Sequence, residues 1–268
     1  MYVIGERING MFQDVRKAIR KRDQGIVQDL ARRQLAAGAQ ALDLNVGPAS
    51  AKPVEAMLWL VETIRAVADA PLCIDSPKFE VQEQVIPKVP GPKIINSSKA
   101  DEADLERFMA LAVEHNASLV GLTIDQAGVP ASAEKRVEMG AMIASKALEK
   151  GLPMERLFID PIILPVNVAP QQPGNVLLAL AQLKLLADPP PHLVLGLSNV
   201  SQNCSNRELV NRTYLVMALA AGMDSAIMDP LDTELMNAAI TTELLQGKTI
   251  YCDSFLDAHK MRSQDRKS

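Results

Sequence analysis

Eight places along this 268-residue chain set a carboxylate, amide or hydroxyl at or just beyond the end of a short apolar run. In order they are Glu6 with Arg7 and Asn9, Asp43 with Asn45, Asp75-Ser76, Asn96-Ser97, Thr123, Asp160, Ser198-Asn199 and Asp229. Asp, Asn and Ser often end strands because they turn the chain and cap helices. Turn chemistry alone would accept Gly, Pro or Lys at several of these places, yet amides and carboxylates recur. The set contains no histidine. His115, His192 and His259 fall on or near helices or loops and read as surface or capping residues. No Ser-His-Asp or Cys-His arrangement is present, and Cys73, Cys204 and Cys252 lack metal-binding or redox spacing. Such residues make a hydrogen-bonding pocket without a strong nucleophile. That pocket suits a ligand with a dense donor–acceptor edge, in a reaction whose nucleophile comes from elsewhere.

One fold class brings eight strand ends to a common rim. Apolar runs at Tyr2–Ile4, Ala41–Leu44, Leu72–Ile74, Lys93–Ile95, Leu119–Thr123, Leu157–Ile159, Leu193–Leu197 and Ser225–Met228 alternate with stretches of helical period. The first helix is expected to end near Gly38. The second opens at Lys52-Pro53 and turns Val54, Met57, Leu58 and Val61 inward. A short helix follows from about Lys78 to Ile86. The next is capped by Asp101 and buries Leu105, Phe108, Met109 and Ala112. Further helices span about Ser132 to Lys150, with Gly151 as the stop, and about Asn175 to Leu186. The penultimate helix buries Leu209, Thr213, Val216, Met217 and Ala220 and closes at Gly222. The last runs from Asp232 to about Gln246, with Gly247 as the stop. Eight strand–helix units predict an α/β fold, a single-domain (β/α)8 TIM barrel over residues 1–268, with a loose polar tail from about 262. An open doubly wound sheet would show G-x-G-x-x-G after its first strand. Gly5-Glu6-Arg7-Ile8-Asn9-Gly10 lacks that spacing.

Composition narrows the class. Hydrophobic residues make up 48% and aromatic residues only 3%, which favours α/β over a β-sandwich. A net charge of -4 leaves no footprint for nucleic acid. The basic group Arg16, Lys17, Arg20, Lys21 and Arg22 reads as a solvated helix face. Three cysteines are an odd number for a disulfide framework, and no signal peptide or membrane-spanning run is seen, so the expectation is a cytoplasmic protein with no membrane association.

The segments Gly5-Glu6-Arg7-Ile8-Asn9-Gly10, Ala41 to Pro48, Leu72-Cys73-Ile74-Asp75-Ser76, Ile94-Ile95-Asn96-Ser97, Ile159-Asp160-Pro161 and Gly196 to Asn203 resemble the pterin-binding methyltransferases. The likeness is greatest to tetrahydrofolate–corrinoid protein methyltransferases and covers the chain to about Phe255. A reduced pterin has the edge described above: its 2-amino group and N–H suit a carboxylate, and its carbonyl can accept from an asparagine. The resemblance implies that Asp75, Asn96 and Asp160 hold the pterin ring and that Asn199 lies near the methyl-bearing nitrogen 5. It also implies that Gly196, Ser198, Gln202 and Arg207 line the same pocket. Arg207 opens a helix and could meet an anionic ligand tail. The implied reaction moves a methyl group between nitrogen 5 of tetrahydrofolate and the cobalt of a corrinoid (cobalamin), in either direction. The substrate is then tetrahydrofolate or 5-methyltetrahydrofolate, no metal is resident, and the corrinoid arrives on a partner protein. Asp257-Ala258-His259-Lys260-Met261-Arg262 lacks the closing Gly of a resident cobalamin motif. A homodimer is also implied, carried by barrel helices. The long Pro-rich loop 161–174 could gate the mouth or serve as a passive connector. Two alternatives stand beside this reading. A dihydropteroate synthase would carry Ser-Arg-Lys and Arg-x-His where this chain has Ser198-Asn199-Val200 and Met228-Asp229-Pro230. A non-catalytic folate-binding subunit would share the pocket.

Overall fold

Apolar runs too short for helices become strands buried on both faces, as a parallel sheet requires. The computed structural model describes residues 1–257, so the tail expected from about 262, His259 and most of the 257–262 segment lie outside it. The strands are β1 (Tyr2–Asn9), β2 (Ala41–Asn45), β3 (Leu72–Asp75), β4 (Lys93–Lys99), β5 (Ser118–Leu122), β6 (Leu157–Asp160), β7 (His192–Gly196) and β8 (Ser225–Met228). Each pairs in parallel with the next, and β8 returns to β1, closing the barrel. The helices outside it are α1 (Gln13–Lys21), α2 (Gln24–Ala36), α3 (Pro53–Arg65), α4 (Phe79–Val85), α5 (Glu102–Glu114), α6 (Ala133–Lys150), α7 (Gln172–Leu183), α8 (Arg207–Ala220) and α9 (Thr233–Leu245). None is long and apolar enough to cross a membrane among the described residues.

Two apolar layers form the core. The larger lies between strands and helices. The smaller fills the barrel with Ile4, Ala41, Cys73, Ile94, Val120, Phe158 and Val194, one from each of the first seven strands, with Ile227 of β8 packed against them. The barrel is therefore filled rather than open. The next inward positions up the wall are polar: Asp75 pairs in register with Asn45 and Asn96, and Asp160 with Leu122.

The sequence expectations hold for the barrel and fail at particular elements. One helix was expected before Gly38, but two are present. Arg22 adopts a left-handed conformation (φ 54°) and Asp23 caps the second helix through Gly25 N–H. Polar Glu6, Arg7 and Asn9 did not end β1 early, because β1 runs on to Asn9 with an irregularity between Gly5 and Ile8. α7 starts at Gln172 and ends at Leu183, three residues earlier than expected at both ends. The largest correction concerns α8. Its buried residues are Tyr214, Leu215, Ala218 and Leu219, whereas Leu209, Thr213, Val216, Met217 and Ala220 all face outward. The helix is apolar on both faces, so periodicity alone could not choose between them. In α3, Met57 and Val61 are buried as expected, while Val54 and Leu58 are only half-buried.

Candidate active site

The ring lies at the C-terminal ends of the strands, the rim that carries catalysis in this architecture. Asp75 ends β3 and accepts from Asn45 Nδ2. Asn96, its register neighbour on β4, donates its amide N–H to Asp43 Oδ1 at 3.2 Å. One amide hydrogen of Asn96 is thus committed to Asp43, and its carbonyl oxygen is open to a ligand.

Burial pushes all three carboxyls of this wall upward. Asp75 and Asp160 rise to about 6. Asp43, fully enclosed beside the Asp75 carboxylate, is driven well above the ordinary range. Asp160 ends β6 and accepts from Ile162 N–H at 2.7 Å, with the Gly196 N–H close enough to act on it. That proximity brings it to the end of β7.

After Gly196 the chain makes a single 3-10 turn, Leu197–Ser201, which carries Ser198 and Asn199. A Cβ on Gly196 would lie 2.9 Å from Asn199 Nδ2, so glycine makes the room in which that amide sits. Asn199 is exposed at the mouth, and its side-chain amide bonds no other described residue. The Ser198 hydroxyl donates to Glu6 Oε2 at 2.9 Å. Arg207 at the start of α8 donates to Ser201 Oγ and Ser198 O, both at 3.2 Å, so its guanidinium braces the loop. Gln202 is exposed at the loop's end, bonded through its backbone to Asn199 O. Asp75 and Asn96 thus form one cluster, and Asp160, Gly196, Ser198, Asn199 and Arg207 another, on the same rim.

Sequence reasoning passed over the supports. Gln82 of α4 is wholly buried and donates to Ile74 O at 2.7 Å and Asn96 O at 3.0 Å, clipping β3 to β4 beside the site. Gln34 of α2 accepts from Arg7 N–H at 3.0 Å under the irregular stretch of β1, where Gly5 leaves space for it. Arg136 of α6 is fully buried and holds Pro161 O at 2.7 Å, Gln172 Oε1 at 2.5 Å, and Ser132 O and Ile162 O. It therefore anchors both ends of loop 161–174. A signal existed for each of these three. They are polar residues on inward helical stripes, such as Val27-Leu30-Ala31-Gln34, where a buried polar group must serve a partner.

Chemically, the rim sets two carboxyls and a carbonyl oxygen as acceptors toward a donor-rich planar edge, with an uncommitted amide beyond them. Among the described residues no group of three or more His, Cys, Asp or Glu could hold a metal ion.

A family model described as pterin binding enzyme matches residues 9–229. The chain is 30% identical to the methylcorrinoid:tetrahydrofolate methyltransferase of Eubacterium limosum, over 97% of this chain and 96% of that protein. It is 29% identical to the methionine synthase of Mycobacterium leprae (strain TN), over 84% of this chain but only 20% of that protein. Among solved structures, the Yersinia pestis dihydropteroate synthase in complex with a sulfonamide drug superposes with a TM-score of 0.70. Identity there is 15%, over 92% of this chain and 94% of that one, a likeness of fold.

Proposed function

The chain belongs to the pterin-binding enzyme family, and on that footing we propose that it moves a methyl group between nitrogen 5 of tetrahydrofolate and the cobalt of a corrinoid bound to a partner protein. The observation that carries the reading is the placement of acceptors Asp75, Asn96 and Asp160 on the rim that also holds the free Asn199 amide. Three acceptors match the 2-amino and ring N–H donors of a reduced pterin. Paired, charge-assisted bonds to the carboxylates orient the ring.

The direction we propose is from methylcorrinoid to tetrahydrofolate, in keeping with the name of the Eubacterium limosum relative. The nitrogen 5 lone pair takes the methyl group, the electron pair of the cobalt–carbon bond stays on cobalt, and nitrogen 5 sheds its proton. Asn199 Oδ1 accepts from the N–H of nitrogen 5, a bond that strengthens as positive charge develops on that nitrogen, and the proton then passes to solvent. Such a group placed for the transition state contributes about 2–4 kcal/mol, as oxyanion-hole donors do. Loop 161–174, held at both ends by Arg136, presents Val168 to solvent beside the mouth and is suited to meeting the corrinoid partner. We place the reaction in the cytoplasm, in keeping with three free cysteines.

We also propose a homodimer. The outward stripe Leu209, Val216 and Met217 is 61%, 39% and 48% exposed, a row of apolar side chains that an isolated helix face seldom shows water. A second copy covering it would remove that exposure.

The test is product analysis with methylcobalamin and tetrahydrofolate as substrates. Formation of 5-methyltetrahydrofolate supports the reading. Consumption of p-aminobenzoate with a pterin pyrophosphate would replace it with a dihydropteroate synthase. Folate binding with no turnover, even with a corrinoid protein, would leave a binding subunit.

A further inference from the structure

Ser198 is gripped from two sides. Its hydroxyl donates to Glu6 Oε2, and its carbonyl accepts from Arg207 and from Ser201 Oγ at 3.2 Å. The next residue is Asn199, whose amide has no bond of its own to fix it among the described residues. Glu6 sits on the opposite side of the barrel seam, on β1, and reaches β7 across β8. Its own backbone is set by the β1 irregularity that Gln34 supports through Arg7 N–H. A half-buried carboxylate that spans two strands to hold one hydroxyl is costly to keep there unless the hold is used.

We propose that Glu6 is a positioning residue for methyl transfer, fixing Asn199 through the Ser198 hydroxyl while Arg207 braces the same residue from the solvent side. The inference rests on the methyltransferase reading and adds to it a residue that does not touch the pterin. It also makes the hold sensitive to protonation. The titratable groups facing Glu6 are Arg7 on its own strand, Asp229 after β8, Arg207 on α8 and Asp43 on β2. Two carboxyls oppose two guanidiniums, so burial decides, and Glu6 is pushed up to about 7. An ionised Glu6 is an acceptor for Ser198 O–H. A protonated one is a weaker acceptor and a rival donor.

The experiment measures single-turnover methyl transfer across pH 5.5–8.5, a window of about three units chosen to bracket the Glu6 titration, for wild type, Glu6→Gln, Ser198→Ala, Ser198→Thr and the double variant Glu6→Gln/Ser198→Ala. Glutamine keeps the shape and an acceptor but no charge. The ratio of wild-type to Glu6→Gln rates should grow by about five- to tenfold as pH rises through the Glu6 titration, the difference between charged and neutral hydrogen bonds. Using a ratio removes the proton dependence of nitrogen 5 itself. In the Ser198→Ala background the Glu6→Gln effect should vanish, whereas Ser198→Thr, which keeps a hydroxyl, should retain it. Equal Glu6→Gln effects with and without the Ser198 hydroxyl, or a ratio flat with pH, would overturn the proposal. Thermal melts of each variant identify any that fails to fold, and Ser198→Thr then carries the comparison. If wild type itself transfers no methyl group, the methyltransferase reading fails instead, and the two failures are distinct.

Discussion

Asp75 shows how one side chain can be tuned by burial. Its carboxyl is raised to about 6 because it lies out of water, while the Asn45 amide pulls the other way and keeps it from rising further. Donors on a reduced pterin favour the ionised form. Tetrahydrofolate binding should therefore strengthen as pH rises through about 6 and release protons in that window. Calorimetry in buffers of different ionisation enthalpy reads both effects. Asp75→Asn should weaken binding at every pH and flatten the profile, and a pH-independent affinity in wild type would contradict the assignment. The positions of Asp75, Asn96, Asp160 and Asn199 at the strand ends were legible in the sequence because each follows an apolar run. The upward shift of Asp43 was not, since it depends on what encloses the group.

Elements hold these residues in place through contacts that sequence periodicity does not report. Gln82 is the clearest case: α4 is a short helix, yet its buried amide joins the carbonyls of Ile74 and Asn96 and so fixes the spacing of Asp75 from Asn96. Gln82→Leu takes a donor from both carbonyls, leaving Asn96 O with the Ser76 N–H, and should cost about 1–3 kcal/mol of stability. The same change should weaken folate binding while sparing the β7 side of the site. Denaturant titration and calorimetry separate the two effects, and an unchanged folate affinity would argue against the clip. α8 marks the limit of reading a helix by pattern. Its sequence offers two apolar stripes, and the side chosen by the barrel is the one containing Tyr214, which reaches Pro173 O. If a second copy covers the outward stripe, Met217→Lys should convert a dimer to a monomer in sedimentation. A monomeric wild type would remove that part of the proposal. Caps, in contrast, were plain from sequence: Asp101 accepts from Ala103 and Asp104 N–H, and Gly151 stops α6 at φ 77°.

At the scale of the whole molecule, the barrel stores unfavourable charge burial at one rim. Asp75, Asp160 and Glu6 all have folded-state values raised above their ordinary ones, so the folded chain binds more protons than the unfolded chain between about pH 4 and 7. Their contribution to stability is fully present below the unfolded values and is lost as pH rises through about 6–7. Asp224 works in the opposite sense. Held down to about 2 by His192 and Lys184 against its burial, it favours the fold above its unfolded value and loses that benefit only as pH falls toward 2. The ligand-free protein should therefore melt several degrees lower at pH 8 than at pH 5, at about 2–4 °C for each kcal/mol. Asp160→Asn should reduce that difference, and a melting temperature that rises over this range would contradict the account. The closed eight-strand order was readable because eight units alternate so regularly. The sharing of Ser198 between β1 and α8 was not, because it joins residues 192 positions apart. The most direct test of the account joins both clusters of the rim in one event, single-turnover methyl transfer between tetrahydrofolate and a corrinoid, comparing wild type with Asn199→Ala. The account predicts that the variant still binds folate but transfers the methyl group at least about 30-fold more slowly, the equivalent of about 2 kcal/mol. A variant rate within about a factor of two of wild type would contradict it, since loss of a hydrogen bond worth about 2 kcal/mol slows the step far more than that.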